Sequence, residues 1–366
     1  MRALFTSVLA LSFPASAYAA DPKIINGETA SADDFPMAGG ALLKADLTLA
    51  GRTTPLNMLV CSSTLIAPDV VLLAAHCIDE TAITLGFGEL TDVKWGWTRQ
   101  ADLSEWDGTS RTQGWPDDAV GAIAVVGHDE FSMSGLSMGI AENFDVALMF
   151  LEEPLLDAPL GYLPTRDEAK EIAVDREVWI VGWGQQVDTE WWETPPAGTY
   201  AVKHMALTAI AEVGDPEFQV GPTEESGRKC HGDSGGPTFM EVGSESTEPM
   251  RVIGVTSHAY DQSDCAEVGG VDTRVDHYLD WIDAEMTQAC DDGTRVWCDV
   301  PGILPAPIPE IEDDSGDPAG GVADSGEKPD ATACGCQSVH PPALWLGLGF
   351  GWLVARTRRR APTPTG

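Results

Sequence analysis

The stretch Cys230-His231-Gly232-Asp233-Ser234-Gly235-Gly236-Pro237 concentrates the chemistry of this chain. A serine hydroxyl set among glycines can act as a nucleophile. Gly232 lets the backbone turn its N–H toward a bound carbonyl, and the N–H of Ser234 points the same way. Together they would form an oxyanion hole for a tetrahedral intermediate. Gly235 and Gly236 leave room for a substrate backbone to approach. This is acyl-transfer chemistry, and it sets two further requirements. The serine needs a general base, and the base needs a carboxylate to orient it.

Both requirements have candidates upstream. Leu72-Leu73-Ala74-Ala75-His76-Cys77 offers His76, and Asn143-Phe144-Asp145-Val146-Ala147-Leu148 offers Asp145 at the start of an apolar run. With the serine loop, these stretches resemble the three signature motifs of the chymotrypsin/trypsin family of serine proteases. The order histidine, aspartate, serine is that family's order, and other triad folds use other orders. The resemblance implies a triad of His76, Asp145 and Ser234, with Gly232 and Ser234 as oxyanion donors. It also implies disulfides Cys61–Cys77 and Cys230–Cys265. Taken singly, each residue has a plainer reading: a packed core histidine, a strand-end aspartate, a serine in a loop. Three in order, with these neighbours and a paired cysteine, outweigh it. His128, His204, His231, His277 and His340 match no motif and read as structural or surface residues.

Two more features follow from the resemblance. Lys23-Ile24-Ile25-Asn26-Gly27 is similar to the family's activation site. Cleavage there frees an isoleucine amine that pairs with the aspartate before the nucleophile, here Asp233. The residue six before the nucleophile lies in the family at the base of the primary specificity pocket. Here it is Arg228, followed by Lys229, which disfavours cleavage after Lys or Arg. Ser257-His258-Ala259 occupies a pocket-wall strand, and Gly270 matches a glycine that keeps the pocket open. Asp272 replaces a usual tyrosine and offers a counter-charge to Arg228. The pocket is then cationic, suiting Asp or Glu, or neutral, suiting polar or modest apolar residues.

These residues need a scaffold. Between residues 24 and 285, short apolar runs such as Val70-Val71-Leu72-Leu73, Val178-Trp179-Ile180-Val181 and Val252-Ile253-Gly254-Val255 alternate with Gly, Pro, Asp and Asn. That pattern predicts an all-β domain of many short strands. The resemblance makes it two six-stranded Greek-key β-barrels with the active site between them. Val178-Trp179-Ile180-Val181-Gly182-Trp183-Gly184 is similar to the family's Gly-Trp-Gly strand. The apolar spacing of Val275–Ile282 predicts the C-terminal helix. Residues 85–120 carry Trp95, Trp97, Trp106 and Trp115 and read as an enlarged loop. Its tryptophans either pack the loop or form a sugar-stacking surface, and packing is the expectation. Trp191-Trp192 is a similar case.

The chain has 366 residues and a net charge of −37. Residues 24–298 hold 48 acidic and 14 basic residues, so the acidity belongs to the catalytic region. Such a surface argues against nucleic acid as a partner and for solubility. Arg2, the apolar run Leu4–Phe13 and Ala17-Tyr18-Ala19 make residues 1–19 a signal peptide, leaving 20–23 as a short propeptide. Export favours disulfides over metal ligation, since zinc-type cysteine spacing is absent. Cys290 and Cys298 are close enough to close a small loop after the last helix. The catalytic domain is thus expected over 24–298, with an acidic Pro/Gly-rich linker over 299–333 that reads as disordered.

Residues 334–366 combine Cys334-Gly335-Cys336, the apolar stretch Ala343–Ala355 and Arg356, Arg358, Arg359 and Arg360. The apolar run is short for a stable membrane span. The arrangement is similar to the bacterial MYXO-CTERM sorting tail, which implies sorting machinery as a partner and anchoring at the cell surface. The chain reads as an exported serine endopeptidase acting on proteins or peptides, made as a zymogen for an activating protease, with no cofactor and no metal. The alternatives are a non-catalytic surface adhesin on the same fold, or an esterase.

Overall fold

The computed structural model describes residues 24–84, 86–187, 195–196, 198–243, 246–261, 265 and 268–308. The signal segment, Lys23, Trp191-Trp192 and the tail with Cys334 and Cys336 lie outside the described residues.

A two-residue strand, β1 (Glu28–Thr29), precedes the first long hairpin, β2 (Ala38–Leu49) and β3 (Arg52–Ala67). Its turn is Ala50-Gly51, both at positive φ (48° and 76°), with Leu49 opposite Arg52. Such two-residue turns match the right-handed twist of the strands they join. β4 (Val70–Leu73), α1 (Glu80–Thr84), β5 (Gly88–Thr98), β6 (Val120–Gly127) and β7 (Ala147–Leu151) follow. The strands close into a barrel in the order β2-β3-β4-β7-β6-β5. Every side chain of β4 and β7 is buried, which explains why both read as unbroken apolar runs.

The second barrel is built from β8 (Glu177–Gly182), β9 (His204–Val213), β10 (Glu217–Val220), β11 (Pro237–Glu241), β12 (Met250–His258) and β13 (Val271–Arg274). Its strands run β9-β10-β13-β12-β11-β8, and β8 pairs back onto β9 to close the ring, with β1 added at β9. Neither barrel follows chain order, as Greek-key crossovers require. The two-barrel expectation therefore holds.

Residues 85–120 differ from the loop read in the sequence. Their first half forms β5, which pairs with β2 along most of its length. Trp97 lies inside the barrel, donating from Nε1 to Ser63 Oγ at 3.1 Å. A side chain at Gly39 would collide with its ring. Trp106 is also buried and stacks on Trp115 at 5.9 Å. These rings fill space between loop and barrel, so packing is their use.

The C-terminal helix is α2 (Leu279–Asp291), entered through a 3₁₀ turn at Val275–His277. Disulfides join Cys61–Cys77, Cys230–Cys265 and Cys290–Cys298. After α2 the chain returns to the first barrel. Asp69 accepts from Arg295 Nη2 (2.9 Å) and from the N–H groups of Val296 (3.1 Å) and Trp297 (2.8 Å). Residues 301–308, read as the start of a linker, lie against the domain. Ile303 donates to Asp283, and Pro307 accepts from Ser246. Among the described residues no helix is long and apolar enough to cross a membrane.

Candidate active site

His76 stands in the 3₁₀ turn Ala75–Ile78, directly after β4. Asp145 directly precedes Val146 and β7, and β4 and β7 are paired with Leu73 opposite Ala147. Neighbouring strands of one barrel thus deliver base and carboxylate to the same rim. Phe144, at φ 55°, sits in the left-handed region just before Asp145, a conformation that costs energy for a bulky residue and gathers at functional sites.

Asp145 is fully buried and accepts three hydrogen bonds. Oδ2 takes His76 Nδ1 at 2.7 Å and the Ser257 hydroxyl at 2.6 Å, and Oδ1 takes the His76 backbone N–H at 2.9 Å. Because a carboxylate can only accept, the His76 proton resides on Nδ1 and the lone pair on Nε2 faces outward as a base. Burial pushes the His76 pKa down, but the charge and hydrogen bond of Asp145 outweigh it and hold it above the ordinary value. Burial pushes the Asp145 carboxyl up, and the charge and hydrogen bonds of His76 and Ser257 bring it below the usual range.

Ser234 lies in the turn before β11, its carbonyl held by the Ser62 N–H at 2.9 Å. No hydrogen bond joins its hydroxyl to His76 among the described residues; Nε2 lies 3.8 Å from Cys77 Sγ. Catalytic hydrogen bonds of this kind often tighten only when substrate is bound. The His231 carbonyl accepts the Gln185 N–H at 2.8 Å. In a trans peptide the next N–H, that of Gly232, points the other way. Among the described residues neither the Gly232 nor the Ser234 N–H meets an acceptor of the protein. Gly232 holds φ 92°, and a side chain at Gly235 (φ 74°) would lie 2.5 Å from the Ser62 carbonyl.

Asp233 is buried, with Oδ1 on the Gly184 N–H (2.8 Å) and Oδ2 on the Cys230 N–H (2.9 Å). The glycines of the Gly-Trp-Gly strand make room for it: a Cβ at Gly182 would lie 2.1 Å from its Oδ1, and one at Gly184 2.5 Å from its backbone N. Burial pushes its carboxyl up to about 6. Ile24 is fully buried, and Ile25 accepts the Arg228 N–H at 2.9 Å.

The expected pocket residues divide into two groups. Arg228 and Lys229 are both buried, but Asp272 pairs with Lys229 and not with Arg228. Lys229 Nζ lies 2.9 and 2.8 Å from its oxygens and 2.7 Å from Thr238 Oγ1. Neighbouring residues of an extended chain project to opposite sides, and here the lysine is the one that points at β13. Ala259 is half-buried, and a Cβ at Gly270 would sit 3.0 Å from the His258 carbonyl. The ring of His258 turns inward, Nδ1 2.9 Å from Ser257 Oγ and Nε2 3.0 Å from the Gly139 carbonyl.

Several residues at the site escaped sequence reading. Ser62 bridges Trp183 N–H (2.9 Å) and the Gly232 carbonyl (3.1 Å). Glu217, a buried acid on β10, accepts from Ala141 N–H and Asn143 Nδ2, both at 2.9 Å. Ser62 directly follows Cys61 of the expected Cys61–Cys77 pair and was within reach; Glu217 sits in no motif. Two His/Cys groupings, Cys61-His76-Cys77 and Cys230-His231-Cys265, have their sulfurs committed to disulfides.

A model of the trypsin family matches residues 24–282. The chain is 29% identical over 274 residues to the protein named Trypsin from Saccharopolyspora erythraea, covering 70% of this chain and 95% of that one. It is 25% identical over 290 residues to Phenoloxidase-activating factor 3 of Holotrichia diomphalia, covering 72% of each. It is 28% identical over 248 residues to Glucanase inhibitor protein 1 of Phytophthora sojae, covering 65% of this chain and 82% of that one. A solved chain described as HL collagenase aligns at 20% identity, covering 71% of this chain and 97% of its own, with a TM-score of 0.49. The span matched by the family model contains every strand of both barrels together with His76, Asp145 and Ser234, and the chain belongs to the trypsin family of serine proteases.

Proposed function

We propose that this chain is a serine endopeptidase using Ser234, His76 and Asp145. His76 Nε2 takes the hydroxyl proton as Ser234 Oγ attacks the scissile carbonyl. The Gly232 and Ser234 amides hold the resulting oxyanion. His76 then returns the proton to the leaving amine, and water hydrolyses the acyl-enzyme by the same exchange. Asp145 keeps the ring oriented and stabilises its imidazolium. The observation that carries this reading is the pair of unpartnered N–H groups beside a histidine whose tautomer is fixed by Asp145. Donors held ready for a charge that appears only in the transition state are the largest contribution in such sites.

The polypeptide is exported through residues 1–19 and activated by cleavage between Lys23 and Ile24. Its catalytic domain spans 24–298, and residues 334–366 direct it to the cell surface. Arg228 disfavours Lys and Arg before the scissile bond, while Asp272 pairs with Lys229. Peptides differing only in Glu, Leu and Arg at that position test the specificity: Arg is cleaved slowest. Fastest cleavage after Arg would refute the pocket assignment. The first test is labelling of the chain, cleaved before Ile24, by a fluorophosphonate, with Ser234→Ala as the control.

Two findings favour a second reading, a binding protein on the same fold. The Ser234–His76 hydrogen bond is not made, and one relative is named an inhibitor. A chain that resists the fluorophosphonate while folded would support it.

A further inference from the structure

A chain of hydrogen bonds continues beyond Asp145 into the second barrel. The Ser257 hydroxyl has one proton, and Asp145 Oδ2, a carboxylate oxygen at 2.6 Å, can only accept it. The contact between Ser257 Oγ and His258 Nδ1, 2.9 Å, then needs a proton on Nδ1. The contact between His258 Nε2 and the Gly139 carbonyl, 3.0 Å, needs one on Nε2, since a carbonyl has none to give. Both contacts are satisfied together only by an imidazolium.

The counter-charge stands beside it. Glu217 Oε2 is 3.9 Å from His258 Nε2, with both side chains buried. Each Glu217 oxygen already accepts a proton from elsewhere, Oε2 from the Ala141 N–H and Oε1 from Asn143 Nδ2. The orientation of the Asn143 amide is fixed by its Oδ1, which takes the Ser137 N–H at 2.9 Å. Neither Glu217 oxygen therefore calls for a proton of its own. Three groups of the segment leading to Asp145 are thus gripped by the second barrel: the Gly139 carbonyl by His258, and the Ala141 N–H and Asn143 side chain by Glu217.

We propose that His258 and Glu217 form an imidazolium–carboxylate pair that positions Asp145 for catalysis. The proposal rests on reading Asp145 as the catalytic carboxylate. His258 aims the Ser257 proton at Asp145, and Glu217 fixes the backbone from which Asp145 projects. Both are positioning residues, since neither touches the reacting atoms. The charged groups facing the pair are His76 after β4, Asp145 before β7 and Asp272 on β13. The two aspartates favour the imidazolium, and His76, when charged, opposes it. Burial acts against both partners, lowering the His258 value and lifting the Glu217 carboxyl to about 7. It favours the alternative with the same number of protons, a neutral ring beside a protonated acid. The hydrogen-bond directions distinguish the two, because the neutral pair leaves one ring nitrogen facing a lone pair.

The test is a pH titration of ring-labelled histidine by NMR on the full chain, for wild type, Glu217→Gln and His258→Gln. Fluorophosphonate labelling of the same proteins, cleaved before Ile24, is followed across pH. The wild-type His258 ring should carry two protons at neutral pH, and in Glu217→Gln it should lose one at lower pH. Labelling should slow about tenfold in both variants, the scale of one hydrogen bond to a charged group, and its acid limb should move. A neutral His258 at pH 7 in the wild type would overturn the proposal. So would unchanged labelling rates and pH profiles in both variants. If Glu217→Gln does not fold, His258→Gln alone decides. A wild-type chain that resists the probe at every pH sinks the peptidase reading instead, and the titration alone then decides whether the pair is charged.

Discussion

Lys229 and Asp272 form a buried ion pair within the second barrel, with Nζ 2.9 and 2.8 Å from the two carboxylate oxygens and Thr238 bonded to both partners. The lysine side chain is 1% exposed and the aspartate 0%. A pair this deep is costly to break from one side, because the remaining charge has no solvent. Asp272→Asn should therefore lose about 3–5 kcal/mol in urea unfolding. The double replacement Lys229→Met, Asp272→Leu should recover most of it, and a double variant as unstable as the single would contradict the pairing.

The His76–Asp145 geometry sets the acid limb of activity. A general base works only when neutral, and the Asp145 charge holds His76 above its ordinary value despite burial. Reactivity should rise as pH increases through that raised value. Asp145→Asn removes the raising charge and the tautomer control together. It should cut kcat/KM by about 10⁴, as removal of such an aspartate does elsewhere, and shift the limb to lower pH. Steady-state kinetics on a peptide ester across pH 5–9 would measure both. An unmoved limb would assign it to another group.

Activation should depend on the Ile24 amine. Buried Asp233, lifted to about 6, has two backbone donors, and under the proposed activation it would gain a full positive partner when Ile24 becomes a chain end. A free α-amine has an ordinary pKa of about 8, and pairing with a buried carboxylate raises it. The contribution is thus present at neutral pH and lost as pH rises through the raised amine value. On the acid side it is lost as Asp233 protonates. Cleavage before Ile24 should raise the labelling rate by orders of magnitude, and carbamylation of the new amine should reverse it. Equal rates before and after cleavage would rule the mechanism out.

The segment after α2 is a structural part of the domain. Arg295 and Asp69 are both fully buried, and Asp69 also holds the backbone of Val296 and Trp297. Arg295→Met strands the aspartate and should cost about 3–5 kcal/mol. A chain ending at residue 282, where the family match stops, should be less stable than one ending at 308. Comparing their thermal midpoints decides this.

What could be read in the sequence was local. Ser234 announces itself because the backbone around it is constrained: Gly232 and Gly235 by positive φ, Gly182 and Gly184 by the space Asp233 needs. β4, β7, β8 and β12 were legible because fully or largely buried strands read as apolar runs. β5 was not, since Gly88, Asp92 and Gly96 break its pattern, and half of its side chains face outward. The Asp69–Arg295 clasp joins residues 226 apart and the Asn143–Glu217 contact residues 74 apart. No local pattern encodes either; barrel closure brings them together. Asp272 meets Lys229 and not Arg228 because alternation decides which of the two neighbours points at β13, and no local pattern fixes that phase.

Ser62 belongs to β3 of the first barrel, yet its hydroxyl and amide hold Trp183, Gly232 and Ser234 of the other half. Each barrel can close through its own strand pairings without these bonds between the halves. The nucleophile loop cannot take its final shape until the halves have docked. Reactivity is therefore the last property gained on refolding: a population with complete sheet signal passes through an interval in which it is blind to substrate, and neither half expressed alone acquires the chemistry.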